Sequence, residues 1–235
     1  MKLLEDKIRN QLSGMGAEII SFGNVEGIAL DGYKRVIVAA IPLPLHVLEV
    51  EVPEGPTWEY VDRYREINRK LDEMAMKTEE MILSEGYRAY GLYGKNVPWD
   101  REAFTTPFPY KTAATRAGIG WVGKCDLLVT SEYGSGIRMT AILTDAPISY
   151  SQPVNESRCG SCTKCVDICP ANAIKNNLWD ITKTREDLVD IHRCDEIARD
   201  IAEIKLGERT TMCGKCFAVC PYTQNYIKRK KESDI

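Results

Sequence analysis

The spacing of the cysteines constrains this chain more than any other feature of its sequence. Nine cysteines occur in 235 residues, and all but one follow residue 158. Four of them form the run C-x2-C-x2-C-x3-C-P, which ends at Pro170; they are Cys159, Cys162, Cys165 and Cys169. Bacterial ferredoxins hold a [4Fe–4S] cluster with this run, because the short spacings let three thiolates from one tight loop reach three irons. In proteins with two clusters, the fourth cysteine binds the other cluster.

A second, incomplete copy of the motif lies near the end of the chain. Cys213, Cys216 and Cys220, with Pro221 directly after, give C-x2-C-x3-C-P. Cys194 lies upstream, and the helical pattern of the segment that follows it could bring its thiolate back as the missing ligand. We therefore predict two [4Fe–4S] clusters. The first set of ligands is Cys159, Cys162, Cys165 and Cys220, and the second set is Cys169, Cys194, Cys213 and Cys216.

Structural zinc is the alternative, because paired C-x2-C elements also form four-thiolate zinc sites. A third cysteine at the same spacing, and the prolines after Cys169 and Cys220, are not needed by a tetrahedral zinc site and favour iron–sulfur clusters.

Cys125 lies outside both motifs and is predicted to be a buried thiol rather than a ligand. Because such clusters transfer single electrons, substrate chemistry is expected in the first part of the chain.

Charge and hydropathy exclude several classes of partner. Lys and Arg number 31 against 34 Asp and Glu, a net charge of −3, which gives no general attraction to nucleic acid. The amino terminus is charged and lacks the apolar segment of a signal peptide. The longest apolar stretch, residues 36–45, contains two prolines and is too short for a bilayer span. We expect a soluble, cytoplasmic protein with no membrane partner.

The first 150 residues have an α/β pattern. Residues 17–23 and 35–41 are rich in Ile, Val and Ala and predict buried strands, and a long amphipathic helix runs from Val61 to about Gly86. An irregular, proline-containing connection leads to residue 110. The predicted domains are an α/β domain for cofactor and substrate, residues 1–150, and a ferredoxin-like domain with two [4Fe–4S] clusters, residues 151–235.

Gly118, Gly120 and Gly123 have the G-x-G-x-x-G spacing of a dinucleotide-binding loop. That loop requires a strand before the glycines and a helix after them, because the helix N-terminus holds the pyrophosphate. Here a helix-favouring segment precedes the glycines and strand-like segments follow them, so a Rossmann site is not predicted. The glycines form a tight turn between helix and strand, or they let a cofactor approach the backbone closely.

Three segments together resemble the epoxyqueuosine reductase family, which is related to the cobalamin-dependent reductive dehalogenases. They lie at residues 116–145, 158–174 and 213–221, and the resemblance extends from about Arg35 to Pro221. It implies an α+β protein whose nitroreductase-like α/β first domain binds cobalamin beside a ferredoxin-like module with two clusters.

The resemblance also implies a set of cofactor contacts. Arg116, Trp121 and Lys124 match the family motif, and the glycines would let the backbone approach a flat corrin. Lys111 and Arg116 are further expected to anchor the substrate or supply a proton. The predicted cofactor-binding residues are Lys111, Arg116, Gly118, Gly120, Trp121, Gly123 and Lys124.

The sequence also departs from the family. Phe104 stands where the family has a catalytic aspartate, so Tyr110 or Asp100 is the candidate proton donor. Longer members carry a tRNA-binding repeat domain after the ferredoxin-like module, and its absence from this sequence, with the net charge, leads us to expect a small organic substrate rather than tRNA. The expected electron donor is a ferredoxin or flavodoxin.

Two alternatives remain open at this stage. FMN could take the place of cobalamin, since nitroreductase-like folds also hold flavin. The chain could also be an electron-transfer protein without a substrate of its own, which reduces a corrinoid or flavin partner protein.

Overall fold

A computed structural model describes residues 2–233. The helices are α1 (Lys2–Gly14), α2 (Leu45–Glu54), α3 (Trp58–Ser84), α4 (Tyr110–Arg116), α5 (Lys164–Asp167), α6 (Ile191–Leu206), α7 (Lys215–Ala218) and α8 (Pro221–Ser233). The strands are β1 (Ile19–Asn24), β2 (Arg35–Pro42), β3 (Ala89–Leu92), β4 (Trp121–Val122), β5 (Leu128–Val129) and β6 (Ile137–Thr144). Within the described residues, no helix is both long enough and apolar enough to cross a membrane.

The chain forms two compact units, and neither is continuous in sequence. The first unit comprises residues 1–42, 66–119 and 138–154, and the second comprises residues 43–65, 120–137 and 155–235. The domain division near residue 150 stays a prediction, but the chain passes from one unit to the other at several points. Residues 120–137, which include Gly120 and Gly123, therefore belong to the same unit as the cysteine motifs.

The first unit is built on a four-stranded sheet in the order β1-β2-β6-β3. The outer pairs are antiparallel, with Ile19 opposite Ala40 in β1–β2 and Ala89 opposite Thr144 in β3–β6. Residues 36–40 are completely buried, which explains why their sequence is continuously apolar rather than alternating. The two predicted strands at 17–23 and 35–41 are confirmed as β1 and β2.

Helix α3 is the predicted long helix, and its apolar stripe is buried as the periodicity indicates. The buried residues include Ile67, Leu71, Met74, Ala75 and Ile82. Exposed i,i+4 ion pairs, such as Lys70–Glu66, lie on its polar face. The helix ends before Gly86, which has φ +85° and donates its N–H to the Leu83 carbonyl at 3.0 Å. A left-handed glycine at this point terminates the helix.

The second unit contains the β4–β5 hairpin and the helices around the cysteines. Its longest helix there, α6, begins at the N-cap Asp190, whose carboxylate accepts the Arg193 N–H at 3.1 Å. It ends at Gly207 in the left-handed conformation with φ +70°. Ala198 and Ala202 form its buried face. This is the helical segment that the sequence predicts between Cys194 and Cys213, and Cys194 lies near its start.

Candidate metal centre

Two short helices repeat the same local structure in the two cysteine motifs. Helix α5 carries Cys165, helix α7 carries Cys216, and the two helices pack against each other. In each motif the next cysteine, Cys169 or Cys220, follows after three residues and is followed by proline. A proline there prevents the helix from continuing, because it has no N–H to donate. All the motif cysteines are half-buried free thiols.

Electrostatic interactions link thiols of distant motifs, although no three metal-binding side chains of the described residues form a preformed metal site. Burial raises the pKa of Cys220, and the thiols of Cys159 and Cys165 raise it further. Burial also raises the pKa of Cys194 to about 11, with further contributions from Cys169 and Cys213. Each of these interactions joins thiols of one predicted ligand set, and the assignment of the two sets stays a prediction.

Cys125 lies between the two motifs. The Cys125 thiol is hydrogen-bonded to the thiols of Cys165 and Cys216. The bond to Cys165 lowers the pKa of Cys125, but the bond to Cys216 and burial raise it, so the pKa lies well above its usual value. It packs on an apolar cluster that includes Ala171 and Val189. The two thiols that it contacts occupy equivalent positions in α5 and α7. The sequence predicts Cys125 to be a buried thiol and not a ligand; the residue is half-buried, and nothing in the sequence indicated that it contacts both motifs.

The β4–β5 hairpin presents residues 124–126 at its tip. The turn is closed by hydrogen bonds from the Gly123 N–H to the Leu127 carbonyl at 2.8 Å and from the Asp126 N–H to the Gly123 carbonyl at 2.9 Å. Lys124 is buried, and its Nζ donates to the Cys162 carbonyl and to Asn176 Oδ1, each at 2.9 Å. The ammonium is thus bound to the cysteine loop, while a contact between Lys124 and an organic cofactor stays a prediction.

Asn176 is a site residue that sequence reasoning missed. Its backbone has φ +63°, a conformation that asparagine adopts more readily than most residues. The turn that this conformation forms places its amide oxygen on Lys124. The sequence signal was weak, because "KNN" in a polar loop is common and nothing nearby identified the lysine as its partner.

Trp121 is buried, and its indole N–H has no hydrogen-bond partner in the described structure. Its ring makes an edge contact with Tyr222 at 4.9 Å between centroids, and the Arg158 guanidinium lies 5.5 Å from the ring centre. Arg158 directly precedes Cys159, and Tyr222 follows Cys220 by two residues. A buried donor without a partner is costly, and a sulfur of the first cluster would satisfy it. This site therefore fits an iron–sulfur cluster.

The three glycines are explained by the chain's own packing. A Cβ on Gly118, which has φ +70°, would lie 2.5 Å from the Gln152 carbonyl oxygen. One on Gly120 would lie 2.1 Å from the Val129 carbonyl oxygen. One on Gly123 would lie 2.8 Å from Val129 Cγ2 and 3.7 Å from Cys159 Sγ. Helix α4 precedes the glycines and strand β4 lies between Gly120 and Gly123, so the strand-before and helix-after order of a dinucleotide-binding loop is absent at this segment, as predicted.

Helix α4 carries the remaining predicted cofactor and proton-donor residues. Arg116 is half-buried, and its Nη2 donates to the Val154 carbonyl at 3.0 Å. Burial lowers the pKa of Arg116. Lys111 is half-buried in the first turn. The Tyr110 hydroxyl donates to the Leu92 carbonyl at 2.7 Å, so its proton is directed at the backbone of β3.

The connection before α4 is a turn organised by Asp100. Asp100 and Thr105 exchange two backbone hydrogen bonds, and Asp100 Oδ1 accepts the N–H groups of Glu102 and Ala103 at 2.9 Å each. Phe104 has φ +50°, which is a strained backbone conformation for an aromatic residue. Its ring makes an edge contact with the exposed Trp99, with 6.4 Å between the ring centroids. A carboxylate of this chain therefore does lie on this loop, four residues before Phe104, but it caps a turn.

Comparisons with known proteins identify the cysteine motifs. Residues 158–223 match the family described as the 4Fe-4S double cluster binding domain. The epoxyqueuosine reductase of Vibrio cholerae is 28% identical over 222 residues, covering 88% of this chain and 54% of that protein. The predicted resemblance is confirmed. This chain spans about half the length of that relative.

Two solved structures show the same fold. One is an epoxyqueuosine reductase crystallised with an epoxyqueuosine-modified tRNA-Tyr stem loop, with a TM-score of 0.61 and 22% identity over 96% of this chain and 66% of the other. The other is a catabolic reductive dehalogenase in complex with 3-bromo-4-hydroxybenzoic acid, with a TM-score of 0.68 and 19% identity over 92% of this chain and 31% of the other. The fold class is therefore confirmed as an α+β architecture with a ferredoxin-like double-cluster region near the C-terminus.

The comparisons decide between the two metals considered for the thiols. The matched family binds two [4Fe–4S] clusters, and the matched residues include every cysteine of the two predicted ligand sets. Two four-thiolate zinc sites would also use all eight thiolates, so the family description, and not the number of thiols, favours iron–sulfur clusters. The C-terminal motifs form an iron–sulfur module.

The expectation that tRNA is not a partner is wrong. The relatives that match this chain are epoxyqueuosine reductases, and one was solved bound to a tRNA stem loop. The expectation relied partly on the net charge of −3, which is a sum over the whole chain. Binding to a nucleic acid depends on where individual cations meet phosphates, and the sum does not describe that placement.

Proposed function

We propose that this protein is an iron–sulfur reductase of the epoxyqueuosine reductase type. The two predicted ligand sets would hold two [4Fe–4S] clusters, which would supply single electrons to a bound organic cofactor, cobalamin, for the reduction of the substrate. The match of residues 158–223 to the 4Fe-4S double cluster binding domain carries this proposal. The electrostatic coupling of Cys194 to Cys169 and Cys213, and of Cys220 to Cys159 and Cys165, is consistent with the two sets. The electron donor is a ferredoxin or flavodoxin.

Cobalamin is supported by the family resemblance and by the fold shared with reductive dehalogenases. A bound corrinoid would supply a reducible metal centre. Of the predicted contacts, Trp121 and Lys124 are buried, and the packing of the three glycines is explained by the protein's own atoms. Lys111 and Arg116 are only half-buried, so these two cations of α4 are the residues we assign to binding the cofactor or substrate.

An epoxide of the epoxyqueuosine type, carried on tRNA, is the substrate to test first. The relatives are named for this reaction, and their structural counterpart holds a modified stem loop. Reduction of an epoxide needs a proton as well as electrons. Tyr110 and Asp100 are the candidate donors, although each makes hydrogen bonds to the backbone in the present geometry. Such bonds rearrange in many enzymes when substrate binds.

The proposal is tested with protein purified without oxygen, reconstituted with iron and sulfide, and incubated with cobalamin. We expect corrinoid absorbance to remain with the protein through gel filtration. We also expect an epoxyqueuosine-containing stem loop to be converted to the reduced nucleoside, as measured by mass spectrometry. The Cys194→Ser variant, expected to lack one cluster, is the control for turnover. Protein that carries both clusters but retains no corrinoid and yields no product would contradict the proposal.

A second candidate is an electron-transfer protein without its own substrate. It is favoured by Phe104 at the family's aspartate position and by the use of the Asp100 carboxylate in a turn. This candidate predicts that the isolated protein binds no organic cofactor and that a corrinoid or flavin protein is recovered with it. FMN in place of cobalamin is distinguished by its visible spectrum.

A further inference from the structure

The β4–β5 hairpin lies directly against the loop that supplies three ligands of the first set. A Cβ added to Gly123, just after β4, would lie 3.7 Å from Cys159 Sγ, so this backbone position faces a predicted ligand. One residue further, Lys124 Nζ donates to the Cys162 carbonyl at 2.9 Å. These two contacts place the end of β4 beside the first predicted cluster site.

The Trp121 side chain lies on the same side of the hairpin as the Cβ direction of Gly123. Strand pairing continues as far as Gly123, whose N–H donates to the Leu127 carbonyl at 2.8 Å, and side chains two residues apart on a strand share a face. The neighbours of the indole ring agree with this placement. Tyr222 makes an edge contact with the ring, and the Arg158 guanidinium lies over it. Both neighbours are within two residues of a ligand of the first set.

The Trp121 indole N–H requires an acceptor that the protein does not provide. The residue is only 1% exposed, and no atom of the described structure accepts this hydrogen bond. A buried donor without a partner is destabilising, so an acceptor bound at this position would be favoured. The sulfurs of a [4Fe–4S] cluster accept hydrogen bonds. The first cluster, held by the cysteine loop beside β4, would supply such an acceptor.

We propose that Trp121 donates its indole N–H to a sulfur of the first cluster and thereby raises the reduction potential of that cluster. Reduction adds negative charge to the cluster, so a donated hydrogen bond stabilises the reduced form more than the oxidised form. This gives Trp121 a partner in the cluster, in place of the corrin contact that the family resemblance implies. The inference rests on the first ligand set of the proposed function, but it requires neither the organic cofactor nor the substrate.

The first test is a redox titration of the reconstituted full chain without corrinoid, followed by electron paramagnetic resonance. In the Cys194→Ser background, expected to retain the first cluster alone, Trp121→Phe should lower the potential by about 59 mV, a tenfold change in the one-electron equilibrium. Phenylalanine keeps an aromatic ring at this position but has no N–H to donate. Trp58→Phe is the matched control, because Trp58 is 46% exposed at the start of α3, and it should leave the potential unchanged.

The second test detects the hydrogen bond itself. Tryptophan that carries a heavy nitrogen isotope at Nε1 is incorporated into the protein, and the reduced first cluster is studied by pulsed electron paramagnetic resonance. We expect a coupling between the labelled nitrogen and the cluster. It should remain in labelled Trp58→Phe and vanish in Trp121→Phe. Because the coupling is measured with Trp121 in place, this test decides even if Trp121→Phe fails to assemble its cluster.

An unchanged potential in Trp121→Phe that retains its cluster would overturn the inference, and so would an equal shift in Trp58→Phe. A labelled protein that holds the first cluster but shows no nitrogen coupling would also overturn it. A Cys194→Ser protein that assembles no cluster at all would instead contradict the proposed ligand sets, and the inference with them. Because neither test uses substrate or corrinoid, both expected results would support the inference even if the proposed reductase activity were absent.

Discussion

The two predicted ligand sets differ in how the chain assembles them. The first takes three thiolates from the seven residues 159–165 and one from just beyond α7, whereas the second collects its ligands from three separate segments of the chain. One of those elements is α6, which contributes Cys194 alone. A set from one loop depends mainly on local backbone geometry. A set from several elements depends on their packing, so the second cluster is expected to be the more easily lost.

The largest expected effect removes one ligand from the distributed set. Cys194→Ser should lower iron from about eight to about four atoms per chain, because a serine hydroxyl is a poor substitute for a thiolate in a [4Fe–4S] cluster. Iron and acid-labile sulfide are measured after anaerobic reconstitution. The matched control is Cys125→Ser, which should leave iron near eight although Cys125 contacts both motifs. An unchanged iron content in Cys194→Ser would refute the second set.

The same contrast explains which parts of the site were predictable. The C-x2-C spacings specify geometry within one loop, so the residues that bind the clusters could be proposed before any fold was known. The helix between Cys194 and Cys213 followed from the helical pattern of that segment. These features are local, and the sequence records local geometry directly.

Contacts between distant segments were not predictable in the same way. Nothing in the sequence joins Lys124 to Asn176, which lie 52 positions apart. The three glycines suggested a cofactor surface, but their close neighbours are carbonyls and side chains of other segments. The net charge likewise misled the expectation about tRNA. Each of these depends on tertiary packing, which single-sequence patterns do not encode.

An intermediate effect is expected from a substitution in the β4–β5 hairpin, because Cys125 at its tip contacts a cysteine of each motif. Gly120→Ala would place a Cβ 2.1 Å from the Val129 carbonyl oxygen, a collision between backbone segments that no side-chain rotation relieves. We expect the free energy of unfolding to fall by about 3 kcal/mol, the upper range for overpacking, and both clusters to be lost in parallel. Urea denaturation and iron analysis measure the two effects.

Gly14→Ala is the control for the hairpin variant. Gly14 ends α1 without a positive φ, and a Cβ added there would have no neighbouring atom within 4 Å, so alanine should be neutral or slightly stabilising. Loss of the second cluster alone in Gly120→Ala would mean that the hairpin does not support both sets.

The smallest expected effect tests whether the second set alone depends on α6. Asp190 caps this helix by accepting the Arg193 N–H at 3.1 Å, one residue before Cys194. Asp190→Ala should cost about 1 kcal/mol at the helix N-terminus and loosen the turn that carries the thiolate. The second cluster should then be lost to an iron chelator faster than in the parent protein, while the first is lost at an unchanged rate. Glu196→Ala, an exposed change on the same helix, should alter neither rate. Equal acceleration for both clusters would contradict the expectation that only the second set depends on α6, because α6 carries Cys194 and no ligand of the first set.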